Sequence, residues 1–123
     1  MTRLKFRVAR PTMNLRRHTP GVMNSTEAEY AELLRLRVLA GEVVRWTFES
    51  LTLKLAPECR WTADFFVQLA DGTCELIDVK GGPAKDDAVV KIKVAADTWP
   101  EFAFYMEHKL PRREGGGFRR QAF

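Results

Sequence analysis

The stretch Cys74 to Gly82, CELIDVKGG, constrains the fold of this chain more than any other. Cys74, Leu76, Asp78 and Lys80 alternate with Glu75, Ile77 and Val79, the period of two that marks a β-strand. One face of that strand carries Asp78 and Lys80, and the other presents Ile77 and Val79 to a core. Gly81, Gly82 and Pro83 end it. An acid and a lysine at the end of an otherwise apolar strand are costly to half-bury unless they act together. Taken alone they are equally consistent with an edge-strand ion pair.

Trp61 to Leu69, WTADFFVQL, is a second strand by composition, and Asp71-Gly72 between the two is a hairpin signal. Folding about that turn lays Asp64 level with Asp78, within a residue or two of register. A second carboxylate then stands beside the first, with Lys80 adjacent. Two carboxylates and an ammonium at one spot suit a hard, oxygen-preferring cation such as Mg²⁺. The pattern Asp64…Asp78-Val79-Lys80, with Gly81 following, resembles the PD-(D/E)XK nuclease signature. Ala63 stands where that signature has proline.

A chain of 123 residues suits one domain with a real core. Hydrophobic residues at 46% and charged ones at 29% are ordinary for a soluble globular protein. No run approaches ~20 apolar residues, and the start, MTRLKFRVARP, lacks the apolar stretch of a signal peptide. A cytoplasmic protein with no membrane partner is expected. Cys59 and Cys74 fit neither a zinc pattern nor a disulfide framework. His18 and His108 are too few and too scattered for a histidine-based metal site, which favours carboxylate chemistry.

Charge is distributed unevenly around the total of +4. Met1 to Asn24 carries six Lys or Arg and no acid, and Lys109 to Phe123 carries five against Glu114 alone. Ser25 to His108 holds nine bases and fifteen acids, a net charge of −6. An acidic body with basic arms fits contact with nucleic-acid phosphates, the body's acids being partly gathered around metal. Arms of this kind can equally be solvated tails that order on binding.

In the N-terminal arm, Leu4, Phe6 and Val8 alternate with Lys5 and Arg7 as in a short strand, and Arg16-Arg17-His18 lies between Pro11 and Pro20. Asn24 to Ala40 is the strongest helix, with Asn24 and Glu27, or Thr26 and Glu29, as a capping box and Gly41 as its stop. Tyr30, Ala31, Leu34 and Val38 form one stripe, and Glu27 falls near its centre one turn earlier. Leu33, Leu36 and Leu39 occupy the opposite side, so the choice between Glu27 and Glu29 as the inward acid stays open, with Glu27 favoured. Glu27 is either a capping residue or a third acid of the site.

Val43 to Phe48 and Leu51 to Leu55 are two strands or one bent strand, with Glu49 between them as a weaker site candidate. Pro57 to Arg60 is a turn. Asp86 or Asp87 caps a second helix, Ala88 to Thr98, on which Lys85 and Lys91 serve either a solvated face or phosphate contact. Phe102, Phe104 and Met106 alternate in a last strand. From Leu110 onward the chain is a Gly- and Arg-rich tail, expected to be mobile.

The succession is α-β-β-β-α-β, an α/β fold with no internal repeat: a basic arm over 1–23, a core over 24–108 and a basic tail over 109–123. It matches the PD-(D/E)XK core, so the resemblance implies a restriction-endonuclease-like architecture, a mixed central sheet flanked by helices. The combination TEAEY…RWTFE…WTADF…DVKG…VKIKVAA…TWPEF is similar to small phage-encoded endonucleases related to Holliday-junction resolvases and phage endonuclease I. That resemblance implies a DNA endonuclease of a phage or prophage in a bacterial host. In it, Asp64, Asp78 and the Val79 carbonyl hold one or two Mg²⁺ ions, or Mn²⁺. Lys80 orients or activates water, and Glu27 completes the metal shell or takes the water's proton. DNA contacts would come from Arg16, Arg17, Lys85, Lys91, Arg112 and Arg113. Partners implied are branched DNA, accessory phage or host replication proteins, and a second copy of the chain where paired nicks are made. The rival expectations are a non-catalytic DNA-binding module on a nuclease fold, and a nuclease acting on plain duplex or single strands.

Overall fold

The described chain, residues 20–123 of a computed structural model, runs α1 (Ser25–Leu39), β1 (Val43–Phe48), β2 (Thr52–Ala56), β3 (Cys59–Thr62), β4 (Phe65–Leu69), β5 (Cys74–Lys80), α2 (Asp86–Thr98), β6 (Ala103–Lys109) and β7 (Phe118–Ala122). A 3₁₀ turn, Arg112–Glu114, lies between the last two strands. A mixed five-stranded sheet has the order β1-β4-β5-β6-β7, and β2 and β3 form a separate two-stranded sheet. The architecture is α/β. The expected strand Leu4 to Val8, and Arg16 and Arg17, lie outside the described residues. No described helix is long and apolar enough to cross a membrane.

Asp71-Gly72 makes the turn its sequence predicts: Gly72 takes φ 94, and the Asp71 carboxylate accepts the Thr73 N–H at 2.9 Å. The turn fixes the antiparallel register of β4 on β5, which pairs Phe65 with Ile77 and Gln68 with Cys74. Continued by one residue, that register sets Asp64 opposite Asp78. The neighbour on the other side, β6, runs parallel to β5 because α2 supplies the crossover between them.

With strands on both sides and a layer on each face, β5 is buried on both faces, not on one as its alternation suggests. Ile77 and Val79 join Tyr30, Leu34, Phe65 and Val67 beneath α1. Leu76 joins Trp61, Ile92, Phe104 and Met106 beneath α2 and the β2-β3 hairpin. Each large side chain fully buried in these layers contributes about 1.5–3 kcal/mol of transfer free energy.

The capping box of α1 is Asn24 with Glu27. The Asn24 side chain accepts the Glu27 N–H at 2.8 Å, and the Glu27 carboxylate accepts the Asn24 N–H at 2.9 Å. Packing decides between the two faces of this helix. Glu27, Tyr30 and Leu34 are buried, while Leu33, Leu36 and Leu39 are exposed.

The expected α-β-β-β-α-β succession gives way to five strands between the helices and two after α2. The stretch Trp61 to Leu69 is not one strand: Trp61 and Thr62 belong to β3, and the chain breaks at Ala63-Asp64 before entering β4. Ala63 is buried and donates its N–H to the Leu51 carbonyl at 3.2 Å, a bond that proline could not make. The turn before β3 is correspondingly shorter than Pro57 to Arg60, since Cys59 already pairs with Ala56.

The C-terminal stretch is not a mobile tail. Phe118–Ala122 is a strand that extends the sheet antiparallel to β6, Phe118 packs edge-on against Tyr30, and Phe123 donates its N–H to the Phe104 carbonyl. Arg120 explains why the strand is held. Its guanidinium bonds Glu107 at 2.7 Å and Glu75 at 3.3 Å, and lies 3.9 Å from the centre of the Tyr105 ring. Burial works against its charge, but hydrogen bonds and charges from Glu107 and Glu75 prevail and raise its pKa. Tyr30 donates its hydroxyl to the same Glu107 at 3.0 Å. Glu75 and Glu107 therefore satisfy a structural network, which the strand periodicity alone did not reveal.

Candidate metal centre

The acids meet where β4 begins and β5 ends, beside the first turn of α1. Asp64 sits in the break between β3 and β4, where its main chain no longer pairs with β5. Its side chain takes over that pairing: Asp64 Oδ2 accepts the Val79 N–H at 2.8 Å. Within a strand a residue's N–H and C=O point to the same side, so the Val79 carbonyl faces this break as well. Asp78, buried, stands opposite Asp64 on the neighbouring strand, close enough for its charge to act on the Asp64 carboxyl. Lys80, two residues on and on the same face, places its ammonium 3.1 Å from Asp78 Oδ2.

Two glutamates close the group. Glu27, Glu49 and Asp64 offer carboxylate oxygens that all lie within 4.8 Å of one another. Glu27 arrives from the capping box, so capping and clustering are not alternatives: the same side chain does both. Glu49 arrives from the turn after β1, where it adopts the left-handed conformation at φ 52 and donates its N–H to the Asp64 carbonyl at 2.9 Å. Holding a non-glycine residue there costs about 1–2 kcal/mol, and the result is a carboxylate aimed at Asp64. One Glu49 oxygen accepts the Gly21 N–H at 2.9 Å. Of the three glutamates considered from the sequence, Glu29 is the one left out. It faces away and pairs with Lys109.

Gly81 completes the local geometry. A Cβ on Gly81 would stand 2.8 Å from Thr26 Oγ1, so the absent side chain lets the first turn of α1 close onto the end of β5. This is the contact that brings Glu27 to the aspartates.

The electrostatics are those of acids packed together. Burial, then the charge of Asp78 and the hydrogen bond shared with it, and finally the charge of Glu27, push the Asp64 carboxyl well above the ordinary range, and the Val79 N–H only partly opposes them. The donors are carboxylate oxygens, with no nitrogen or sulfur ligand in the group. That set fits a hard divalent cation, and a cation would relieve the repulsion that raises Asp64. Glu27, Glu49, Asp64 and the Val79 carbonyl, with Asp78 beside them, are the groups that could hold it.

The cationic residues proposed from the sequence are dispersed. Lys85 caps α2 and is exposed, and Lys91 is half-buried on the same helix. Neither forms an ion pair among the described residues. Arg112 and Arg113 are exposed in the 3₁₀ turn. No family model matches the chain, and no curated protein or solved structure is significantly similar to it.

Proposed function

We propose that this protein is a metal-dependent DNA endonuclease of the PD-(D/E)XK kind, hydrolysing phosphodiester bonds. One observation carries the proposal: Asp64, Asp78, Lys80 and Glu27, distant in sequence, converge with Glu49 at one end of the sheet. An edge-strand ion pair would account for Asp78 and Lys80 alone. It does not account for three further carboxylates drawn against their mutual repulsion, one of them on a strained backbone.

A bound Mg²⁺ or Mn²⁺ ion would supply Lewis acidity to the scissile phosphate and lower the pKa of an attacking water. Glu27 commits one carboxylate oxygen to a backbone N–H and can offer the other to the ion or to the water's proton. Lys80 is steered by Asp78 yet partly open to solvent. Its remaining N–H donors can orient water or offset negative charge growing on the phosphate. Asp64 is fixed by the Val79 N–H, so the centre is set by main-chain geometry rather than by a flexible loop.

The resemblance to junction-resolving endonucleases favours selection by DNA structure, such as a branch or four-way junction. The test is to incubate the full chain with duplex, single-stranded, flap and four-way DNA in Mg²⁺, Mn²⁺, Ca²⁺ or EDTA. Nicking is expected in Mg²⁺ and Mn²⁺, with branched DNA preferred. Ca²⁺, with longer and looser coordination, should not support it. Full activity in EDTA, or no cleavage of any of these DNAs, would overturn the proposal.

A further inference from the structure

Beside the acid cluster lies a groove of about 630 Å³, walled by the Gly81–Pro83 loop on one side and by the β6-β7 connection on the other. We infer that this groove seats the sugar–phosphate backbone of the nucleic-acid strand next to the hydrolytic centre, an inference that rests on the function proposed above.

Strand register supplies the first support. Lys80 on β5 pairs with His108 on β6, and His108 pairs with Arg119 on β7. Residues paired in this way share a face, so Lys80, His108 and Arg119 form a row across three strands, running from the acids to the edge of the sheet. His108 is held in that row by a 2.8 Å hydrogen bond from its Nε2 to Gln121 Oε1, on the same face.

Free charge supplies the second. Arg113 and Arg119 line the groove and form no ion pair among the described residues, whereas Arg35, Arg37 and Arg120 are all engaged by carboxylates. Glu114 is the one acid on the lining, and Lys109 is already paired with Glu29. Two unneutralised guanidiniums on one wall suit phosphate oxygens, which they can grip with two parallel N–H bonds. The opposite wall suits close approach, since a Cβ at Gly82 would meet nothing within 4 Å. A backbone lying here would run directly into Lys80.

The experiment compares the wild-type chain with Arg113→Gln/Arg119→Gln and, as a control, Arg35→Gln on the outer face of α1. Both target arginines are exposed, so the fold should be unchanged by circular dichroism. Binding of fluorescein-labelled duplex, single-stranded and four-way DNA is read by anisotropy across a salt series in Ca²⁺, and cleavage at saturating DNA is read in Mg²⁺. If two phosphate contacts are lost, affinity should fall by about tenfold, and the slope of log affinity against log salt should flatten by about 1.8 on duplex or 1.4 on single strands. Cleavage at saturation should change far less than affinity, and Arg35→Gln should match wild type. A double variant with wild-type affinity and salt slope would overturn the groove while leaving the nuclease proposal standing. A wild-type chain that binds through these arginines but never cleaves would uphold the groove and overturn the nuclease.

Discussion

Replacing Asp64 by asparagine should stabilise the metal-free protein, although it removes a group central to the proposed activity. In the folded chain the Asp64 carboxyl is pushed up to about 9, against an ordinary value of 3.8, by burial and by the charges of Asp78 and Glu27. The unfolded chain therefore carries an ionised Asp64 at pH 7 while the folded chain carries a protonated one. Taking up that proton at pH 7 costs at most about 4 kcal/mol, at 1.36 kcal/mol for each pH unit above the unfolded pKa. Asparagine avoids this cost. Its Oδ1 can still accept the Val79 N–H, and its amide offers N–H donors to the surrounding carboxylates. Allowing about 1 kcal/mol for imperfect amide geometry, the net gain is about 2–3 kcal/mol, or roughly 10 °C in Tm for a chain of this size.

The sign follows from proton linkage. Between the unfolded and folded pKa values the folded state binds more protons, so wild-type stability falls as pH rises through that window. The variant should be about 1 kcal/mol the less stable below pH 4, overtake wild type as pH rises, and gain on it toward pH 9 before the difference levels off. Urea unfolding in EDTA at several pH values measures it directly. Added Mg²⁺ should raise the midpoint of wild type and do little for the variant. A variant that is less stable than wild type at pH 8 in EDTA, or a gap that does not change with pH, would refute the electrostatic account of the cluster.

Other outcomes follow from neighbouring contacts. Lys80→Ala should leave the fold intact while lowering cleavage by about 10²–10⁴-fold, read as single-turnover rate at saturating DNA. Arg120→Ala strands the buried Glu75 and Glu107 without their shared cation and should cost about 3–5 kcal/mol, read by urea unfolding at pH 7. Removing residues 109–123 deletes β7 together with Arg120, so the truncated chain should fail to give a cooperative thermal transition, whereas a dispensable tail would leave the transition unchanged. Gly81→Ala should push Thr26 away and separate Glu27 from the aspartates, weakening Mg²⁺-induced stabilisation more than the metal-free fold, as thermal shifts with and without Mg²⁺ would reveal.

The central geometry was legible in sequence because local signals agreed. Asp71-Gly72 fixed the hairpin, and the hairpin fixed Asp64 against Asp78. Asn24 with Glu27 was one of two capping boxes that marked the start of α1, and packing of Tyr30 and Leu34 settled Glu27 over Glu29 as the inward acid. What stayed open or escaped was determined by tertiary contact. Glu49 stood in the sequence only as a weaker candidate, because the left-handed backbone conformation that brings it to the acids has no signal in a glutamate. β7 escaped because Arg119 and Arg120 mask its alternation, and because the acids that hold Arg120 give no local sign of it: Glu107 alternates with Phe104 and Met106, and Glu75 falls on the face of Ile77 and Val79. A clue was available in that pair of acids, since carboxylates on strands in mid-sheet need a cation from elsewhere in the chain. The break falls at Ala63-Asp64, the two poor strand formers of the run, a signal outweighed by the aromatic and β-branched residues on either side; it is enforced by the β2-β3 hairpin, whose register takes Trp61 and Thr62.

The most direct test of the hydrolytic centre is single-turnover cleavage of four-way DNA in Mg²⁺ by wild type and Asp78→Asn, with binding of each measured by anisotropy on the same DNA. Asparagine keeps the volume of the side chain and removes its charge. The expected result is equal occupancy of the DNA with cleavage slowed by about three orders of magnitude in the variant. Equal cleavage rates at equal occupancy would contradict the assignment and leave the acid cluster a structural feature.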